Sequence, residues 1–224
     1  MIAMDFTHQI SEFSLSETVD LLTERDCLTF DQAFYLGNLT LLKRGVRVAV
    51  VGCRKPTPQG ISRTQTLTKK LVERDITVVS GLAAGIDAAA HETALLHGGS
   101  TIAVTGTPLD QPYPLVNAHL FQRLANEQLV ISQFPVGSKF NPKNFLRRNE
   151  TTVLISHATI IVEAGETSGL IYLGWRALRM GRLLFLLESL LNNTTLSWPK
   201  KMAGYGAKVL TNANFDEQFR ALTN

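Results

Sequence analysis

Between Ile76 and Gly99 the chain reads ITVVSGLAAGIDAAAHETALLHGG, and no other stretch restricts its fold so strongly. An apolar, β-branched run from Ile76 to Val79 stops at Ser80-Gly81. A small-residue loop carrying Gly85 follows, and Asp87 stands where an N-cap belongs. Ala88 to Leu96 is a strong helix former, halted by Gly98-Gly99. Strand, glycine loop and helix in that order put helix N-terminal N–H groups at the carboxyl edge of a sheet, where a phosphate or another anion can sit. A single loop of this kind also serves as a plain tight turn. The rest of the chain weighs on the choice, because it supplies more such loops.

Val46 to Val51 reads as a buried strand closing at Gly52-Cys53-Arg54, with Pro56 and Pro58 in an extended loop after it. A helix from Gln59 to Arg74 then puts Ile61, Thr64, Leu67 and Leu71 on one face. Further strands are expected at 100–104, 129–132, 159–162 and 183–187, and a last short edge strand within 204–210. Helices are expected at 118–126, 145–154 and from Ser168 to Gly181. Strands alternating with helices of this length predict an α/β fold, an extended Rossmann-like, mostly parallel sheet of six or seven strands with helices on both faces. Residues 46–224 form that domain. Residues 1–45 read as a short helical N-terminal segment, with Ser16 capping a helix to Leu22 and a Thr29/Gln32 capping box opening one over Phe30–Leu36.

In a parallel sheet the loops Gly52-Cys53-Arg54, Ser80-Gly81, Gly106-Thr107 and Glu163-Ala164-Gly165 emerge on one edge and converge on one crevice. Arg54 supplies a planar, permanently charged donor there, and Ser168 a hydroxyl at a helix start. Neither the dinucleotide fingerprint nor the P-loop is present, so NAD, FAD and P-loop ATPase readings fall below a general phosphate site. Lys139, Lys143, Arg147 and Arg148 lie within ten residues, interleaved with Phe140 and Phe145, which fits phosphate contacts beside stacking platforms. The overall charge is only +3, from 22 Lys and Arg against 19 Asp and Glu, so the local cluster matters more than the total.

Catalytic patterns are weaker. Asp87 and His91 are one helical turn apart and can pair, or be a cap and a satisfied buried histidine. Arg54 beside Cys53 is able to depress its thiol pKa, but no histidine is placed to act as a base, so Cys53 reads as a small packed cysteine. Glu163 and Glu166 share one loop and are the acid pair that a nucleotide N-glycosidase would use. The histidines and cysteines show no metal-ligand spacing, and no cofactor is expected. With 18% charged residues the surface leaves room for an oligomer interface, and the nearly all-round apolar helix after Ser168 points to a homodimer. No signal peptide or membrane-length apolar run is visible, and two cysteines suit a reducing cytoplasm.

These residues resemble the DNA-processing protein A family, also called DprA or Smf. The likeness runs from Arg47 to Leu210 through Gly52-Cys53-Arg54-Lys55-Pro56, Ser80-Gly81-Leu82-Ala83-x-Gly85-Ile86-Asp87-x-x-Ala90-His91, Tyr113-Pro114-x-x-Asn117, Arg148-Asn149, Val162-Glu163-Ala164 and Ser168-Gly169. The resemblance implies a protein that binds single-stranded DNA, loads a RecA-type recombinase in natural transformation, dimerises, and is not an enzyme. It implies a DNA pocket lined by Arg54, Lys55, the loop Ser80 to Asp87 with Gly81 and Gly85, Lys143, Arg147 and Arg148. The family is similar in fold to the phosphoribohydrolases of the LOG group. The alternative is therefore a nucleotide sensor or N-glycosidase-like enzyme using a pocket at Gly52, Gly106, Glu163 and Glu166. The chain departs from the family pattern at Gln133, Leu146, Glu150 and Leu187-Glu188-Ser189, and is expected to be a shortened, diverged member without a winged-helix domain after Asn224. Glu150, beside the cluster, is expected to oppose a polyanion.

Overall fold

The computed structural model describes residues 9–22 and 31–223. Its strands, in chain order, are β1 (Ser11–Ser14), β2 (Gln32–Gly37), β3 (Arg47–Gly52), β4 (Thr77–Ser80), β5 (Thr101–Thr105), β6 (Leu129–Ser132), β7 (Ala158–Glu163), β8 (Leu183–Leu187) and β9 (Lys208–Leu210). All belong to one sheet in the order β1-β2-β6-β5-β4-β3-β7-β8-β9. From β6 to β9 every neighbouring pair is parallel, whereas β2 runs antiparallel to β6 and β1 antiparallel to β2. The parallel core matches the α/β reading.

Residue alternation within the central strands assigns the helices to the two faces. Val48 and Val50 of β3 point to the side covered by α2 (Pro58–Val72), α3 (Ile86–Leu96) and α9 (Phe215–Thr223). Toward β6 and β2 the same side is covered by α4 (Ala118–Glu127). Ala49 and Val51 point to the other side, where α5 (Asn144–Leu154), α6 (Gly169–Arg179) and α8 (Trp198–Gly204) pack. Because both faces are covered, β3 is buried at all six positions, which is why it reads as a continuous apolar run. Each such Val or Ile contributes about 1.5–3 kcal/mol by burial.

The N-terminal helix expected over Phe30–Leu36 is instead a strand, β2, to the extent that it falls on described residues; Thr29 and Phe30 lie outside them. Phe34 and Leu36 face α4 while Ala33 meets Phe13 and Leu15 on the other side. A strand buried on both sides shows no polar alternation, and the capping-box pattern then suggests a helix. The helix expected from Ser16 to Leu22 is one turn, α1 (Leu15–Thr18), capped by Ser14, whose Oγ accepts from the Glu17 N–H at 3.2 Å. This segment is tied to the base of the sheet: Arg47, fully buried, donates to Asp20 at 2.6 Å, and Arg182 donates to the Leu21 carbonyl at 2.6 Å. At the other end, the short edge strand expected within residues 204–210 is β9, which takes the last three of them. The helix α8 takes their start, and the one-turn helix α7 (Glu188–Leu191) follows β8. None of the described helices is long and apolar enough to cross a membrane.

Candidate functional site

The carboxyl ends of β3, β4 and β7 open into a cavity of about 410 Å³ bounded by Gly52, Arg54, Gly81, Arg148, Ser168 and the N-terminal turns of α5 and α6. A smaller cavity of about 120 Å³ adjoins it, sharing Arg54, Gly81, Phe145 and Arg148 and adding Tyr113 and Pro114. Two glycines make this shape. At Gly81 a Cβ would collide with the Arg148 guanidinium and come within 2.6 Å of the Asp87 carboxylate. Gly85 has φ +86° and ψ −123°, a region open essentially to glycine alone, and a Cβ there would stand 2.8 Å from the Arg54 carbonyl carbon.

Beneath the β4–α3 loop lie two buried side chains of opposite charge. Arg148 and Asp87 are 6% and 4% exposed. Arg148 Nη1 donates to the Gly81 carbonyl and, at 2.9 Å, to the Val104 carbonyl. Asp87 accepts long contacts of 3.4 Å from the N–H groups of Gly52 and Ala83. Burial raises the Asp87 carboxyl above its usual value while the Arg148 charge opposes that rise; the guanidinium stays charged. The helix N-cap is Gly85, not Asp87, which is the second residue of α3 and turns its carboxylate under the loop.

This changes the expected anion site. The Ala83 N–H faces Asp87, the Ile86 N–H donates to the Cys53 carbonyl at 3.3 Å, and the Ala88 N–H donates to the Ala83 carbonyl at 3.1 Å. The start of α3 thus already holds an internal anion, Asp87, beside the N–H groups where a phosphate would sit. Cations available to a ligand come from side chains instead. Arg54, Lys55, Lys139, Lys143 and Arg147 are exposed and make no ion pair with the described residues.

Three aromatic rings form a cluster at the mouth. Tyr113, Phe140 and Phe145 lie 5.4, 5.4 and 5.9 Å apart by centroid, with Tyr113 and Phe140 38% and 49% exposed. The Arg54 guanidinium sits 5.4 Å from the Phe145 ring, and Arg147 covers Phe134 at 5.6 Å. Phe145 in turn fills the space that a side chain at Gly106 would take. Sequence reasoning named Phe140 and Phe145 but gave Tyr113 no role, although it stands in the quoted Tyr-Pro-x-x-Asn string. The Asn of that string, Asn117, clamps the loop by donating to the Leu82 carbonyl at 2.9 Å.

Several expected site residues have structural duties. Ser80 is buried and donates to the Val50 carbonyl at 2.6 Å, so its hydroxyl does not serve the cavity. Asn149 is buried on α5 at the cavity wall, and Ser168 caps α6 by accepting from the Leu170 N–H at 3.2 Å. Glu163 accepts from the Thr57 N–H and hydroxyl at 2.9 and 2.8 Å, fixing the start of α2. Glu166 turns to Ser197, accepting from its N–H at 2.9 Å and from its hydroxyl. The two carboxylates do not face one another across a ligand site. Glu150 pairs with Arg176 of α6, so its charge is neutralised within the fold instead of opposing a polyanion.

The acid–base candidates are also corrected. His91 is fully buried, with Nδ1 2.7 Å from the Thr101 hydroxyl, and burial pushes it down to about 3, so it is neutral at physiological pH and does not pair with Asp87. Burial and the neighbouring Glu163 push the Cys53 thiol up to about 11, in keeping with a packed cysteine and not with a thiolate activated by Arg54. Among the described residues no cluster of His, Cys, Asp and Glu is arranged to hold a metal ion.

Residues 31–220 match the family model for DNA recombination-mediator protein A. The chain is 43% identical to the protein Smf of Synechocystis over 142 residues, which cover 63% of this chain and 36% of that one. It is 35% identical to the DNA processing protein DprA of Streptococcus pneumoniae over 217 residues, 93% of this chain and 76% of that one. The X-ray structure of the latter superposes with a TM-score of 0.83 at 32% identity, covering 99% of this chain and 79% of that one. DNA processing protein A of Helicobacter pylori, in a structure addressing its single-stranded DNA binding mode, superposes with a TM-score of 0.82 at 27% identity, covering 96% and 98%. The chain thus spans from about a third to three quarters of the length of these two curated relatives.

Proposed function

Since the chain belongs to the DNA recombination-mediator protein A family, we propose that it binds single-stranded DNA across the carboxyl edge of its sheet, in DNA processing, transformation or recombination. The observation that carries this reading is the Arg54–Phe145 contact inside the exposed Tyr113–Phe140–Phe145 cluster. It sets an unpaired cation beside flat apolar faces, the combination that a strand of alternating phosphates and unstacked bases requires. Arg54, Lys55, Lys139, Lys143 and Arg147 neutralise phosphates, and bases stack on Tyr113 and Phe140. Arg148 shapes the floor from below and acts on the strand through its field. Such contacts carry no base-edge information, so binding is independent of sequence.

The alternative, a nucleotide sensor or N-glycosidase, has less support. The carboxylates it would use, Glu163 and Glu166, are engaged by Thr57 and Ser197. By family membership we also propose that the bound strand is handed to a RecA-type recombinase in the cytoplasm and that the protein is a homodimer. The exposed Tyr172 and Tyr205, the latter edge-on to Trp175 at 5.3 Å, support an interface near α6 and α8. The test of the DNA reading is an anisotropy titration of labelled oligo-dT of increasing length, with deoxynucleoside monophosphates as competitors. Affinity rising with length and unmoved by monophosphates supports it; preference for the monophosphate returns the nucleotide reading.

A further inference from the structure

A second cavity, of about 430 Å³, opens on the same edge of the sheet but beyond the first turn of α2. Its walls are the outer side of α2, with Arg63 and Lys70, and the ends of β8 and β9, with Asn192 and Asn212 beyond them. We propose that this groove is a second segment of the path for single-stranded nucleic acid: a strand leaving the first cavity past Arg54 and Lys55 crosses the start of α2 and places later phosphates on Arg63 and Lys70. The inference rests on the DNA reading above and extends it to residues outside that site.

Position and charge both support it. The N-cap of α2, Thr57, is bonded to Glu163 at the end of β7, next to Cys53 at the wall of the first cavity. Arg63 lies six residues further along α2, about 9 Å of helix. Lys70 follows after seven more residues, two turns, and so shares the same side of the helix. The cations of this segment are not equivalent. Lys69 is paired with Glu73 at 3.9 Å, and Arg74 with Asp216. Arg63 has no partner among the described residues. Lys70 meets only neutral groups, the Asn212 amide oxygen at 3.3 Å and the Phe215 ring at 5.2 Å. The two cations without carboxylate partners are the two that line the groove. Glu188 is the single acid in the lining, against amides and hydroxyls suited to phosphate and sugar oxygens.

The test compares the parent with Arg63→Ala/Lys70→Ala on oligo-dT of about 5 and about 20 nucleotides, within and beyond the reach of one binding fold. A control, Lys69→Ala/Arg123→Ala, removes the same net charge from two exposed, ion-paired positions. The groove variant is expected to bind the short oligomer like the parent and the long one more weakly. Its slope of log K against log salt for the long oligomer should be lower by about 1.4, so that the parent's advantage shrinks about sevenfold between 50 and 200 mM salt. Circular dichroism confirms folding, since both positions are at the surface. Equal behaviour of parent and groove variant at both lengths overturns the proposal, as does an equal loss in the control. A change of mass in light scattering also overturns it, by making the groove a subunit contact. If the parent itself binds neither oligomer, the DNA reading falls and the proposal with it; the failure is then distinguishable from loss of the groove alone.

Discussion

Replacing Arg148 with alanine removes a guanidinium held between the Gly81 and Val104 carbonyls and beside Asp87. The carboxylate left behind is 4% exposed and keeps only backbone N–H partners, Gly52 and Ala83 at a long 3.4 Å and Gly81. Breaking a buried pair from one side costs about 3–5 kcal/mol, a large share of an ordinary domain stability of about 5–15 kcal/mol. Adding Asp87→Asn removes the stranded charge, and the double variant should recover about 2 kcal/mol relative to the sum of the single changes. Urea unfolding followed by circular dichroism at pH 7.5 measures each corner of this cycle. The pH dependence supplies a second check. Burial already raises the Asp87 carboxyl above 3.8, and without Arg148 it rises further. A raised folded-state value contributes stability that is fully present below the unfolded value and is lost as pH rises through the folded one. The penalty of Arg148→Ala is therefore largest at neutral pH and shrinks as pH falls toward 3.8. A cost under about 1 kcal/mol with no pH dependence would refute the structural role of the pair. It also follows that weak DNA binding by this variant is no proof of a phosphate contact.

Three other outcomes are expected. Phe140→Ala should weaken oligo-dT binding by about 1–3 kcal/mol while leaving the salt slope unchanged, because stacking rather than charge is lost; an altered slope with unaltered affinity at high salt would contradict this. Glu150→Arg should lower stability by about 2 kcal/mol in urea unfolding, since it breaks the pair with Arg176 and sets two guanidinium groups together; a variant that is both stable and tighter for DNA would show that Glu150 faces the ligand. Light scattering should give about twice the chain mass, and a monomer at tens of micromolar would count against the homodimer.

The parallel core was legible because its strands are buried on both faces and so appear as uninterrupted β-branched runs: 129–132 and 183–187 have the expected bounds. The same property concealed β2, whose Ala33, Phe34 and Leu36 fill both faces of an antiparallel edge and mimic a helical pattern. The convergence of Arg54, Gly81 and Ser168 on one cavity followed from glycine loops at parallel strand ends, whereas Arg148 was assigned to it only by the family resemblance. What each group does there did not follow. Asp87 fits an N-cap by local rules, and only the approach of Arg148, 61 residues later, makes it an internal counter-ion. Glu163, Glu166 and Glu150 look like free acids in the sequence, while their partners Thr57, Ser197 and Arg176 come from other elements. Tyr113 carried a local signal, its place in the Tyr-Pro-x-x-Asn string, but its role appears only with Phe140 and Phe145 around it.

The central claim is that single-stranded DNA is held over Arg54 and the aromatic cluster. Its most direct test is the salt dependence of oligo-dT binding for the parent and Arg54→Ala, read by fluorescence anisotropy. Arg54 is exposed and its side chain makes no hydrogen bond with the described residues, so the variant should remain folded. The account predicts a weaker complex and a slope of log K against log salt reduced by about 0.7, the share of one phosphate on a single strand. Identical affinity and slope for the two proteins would contradict it.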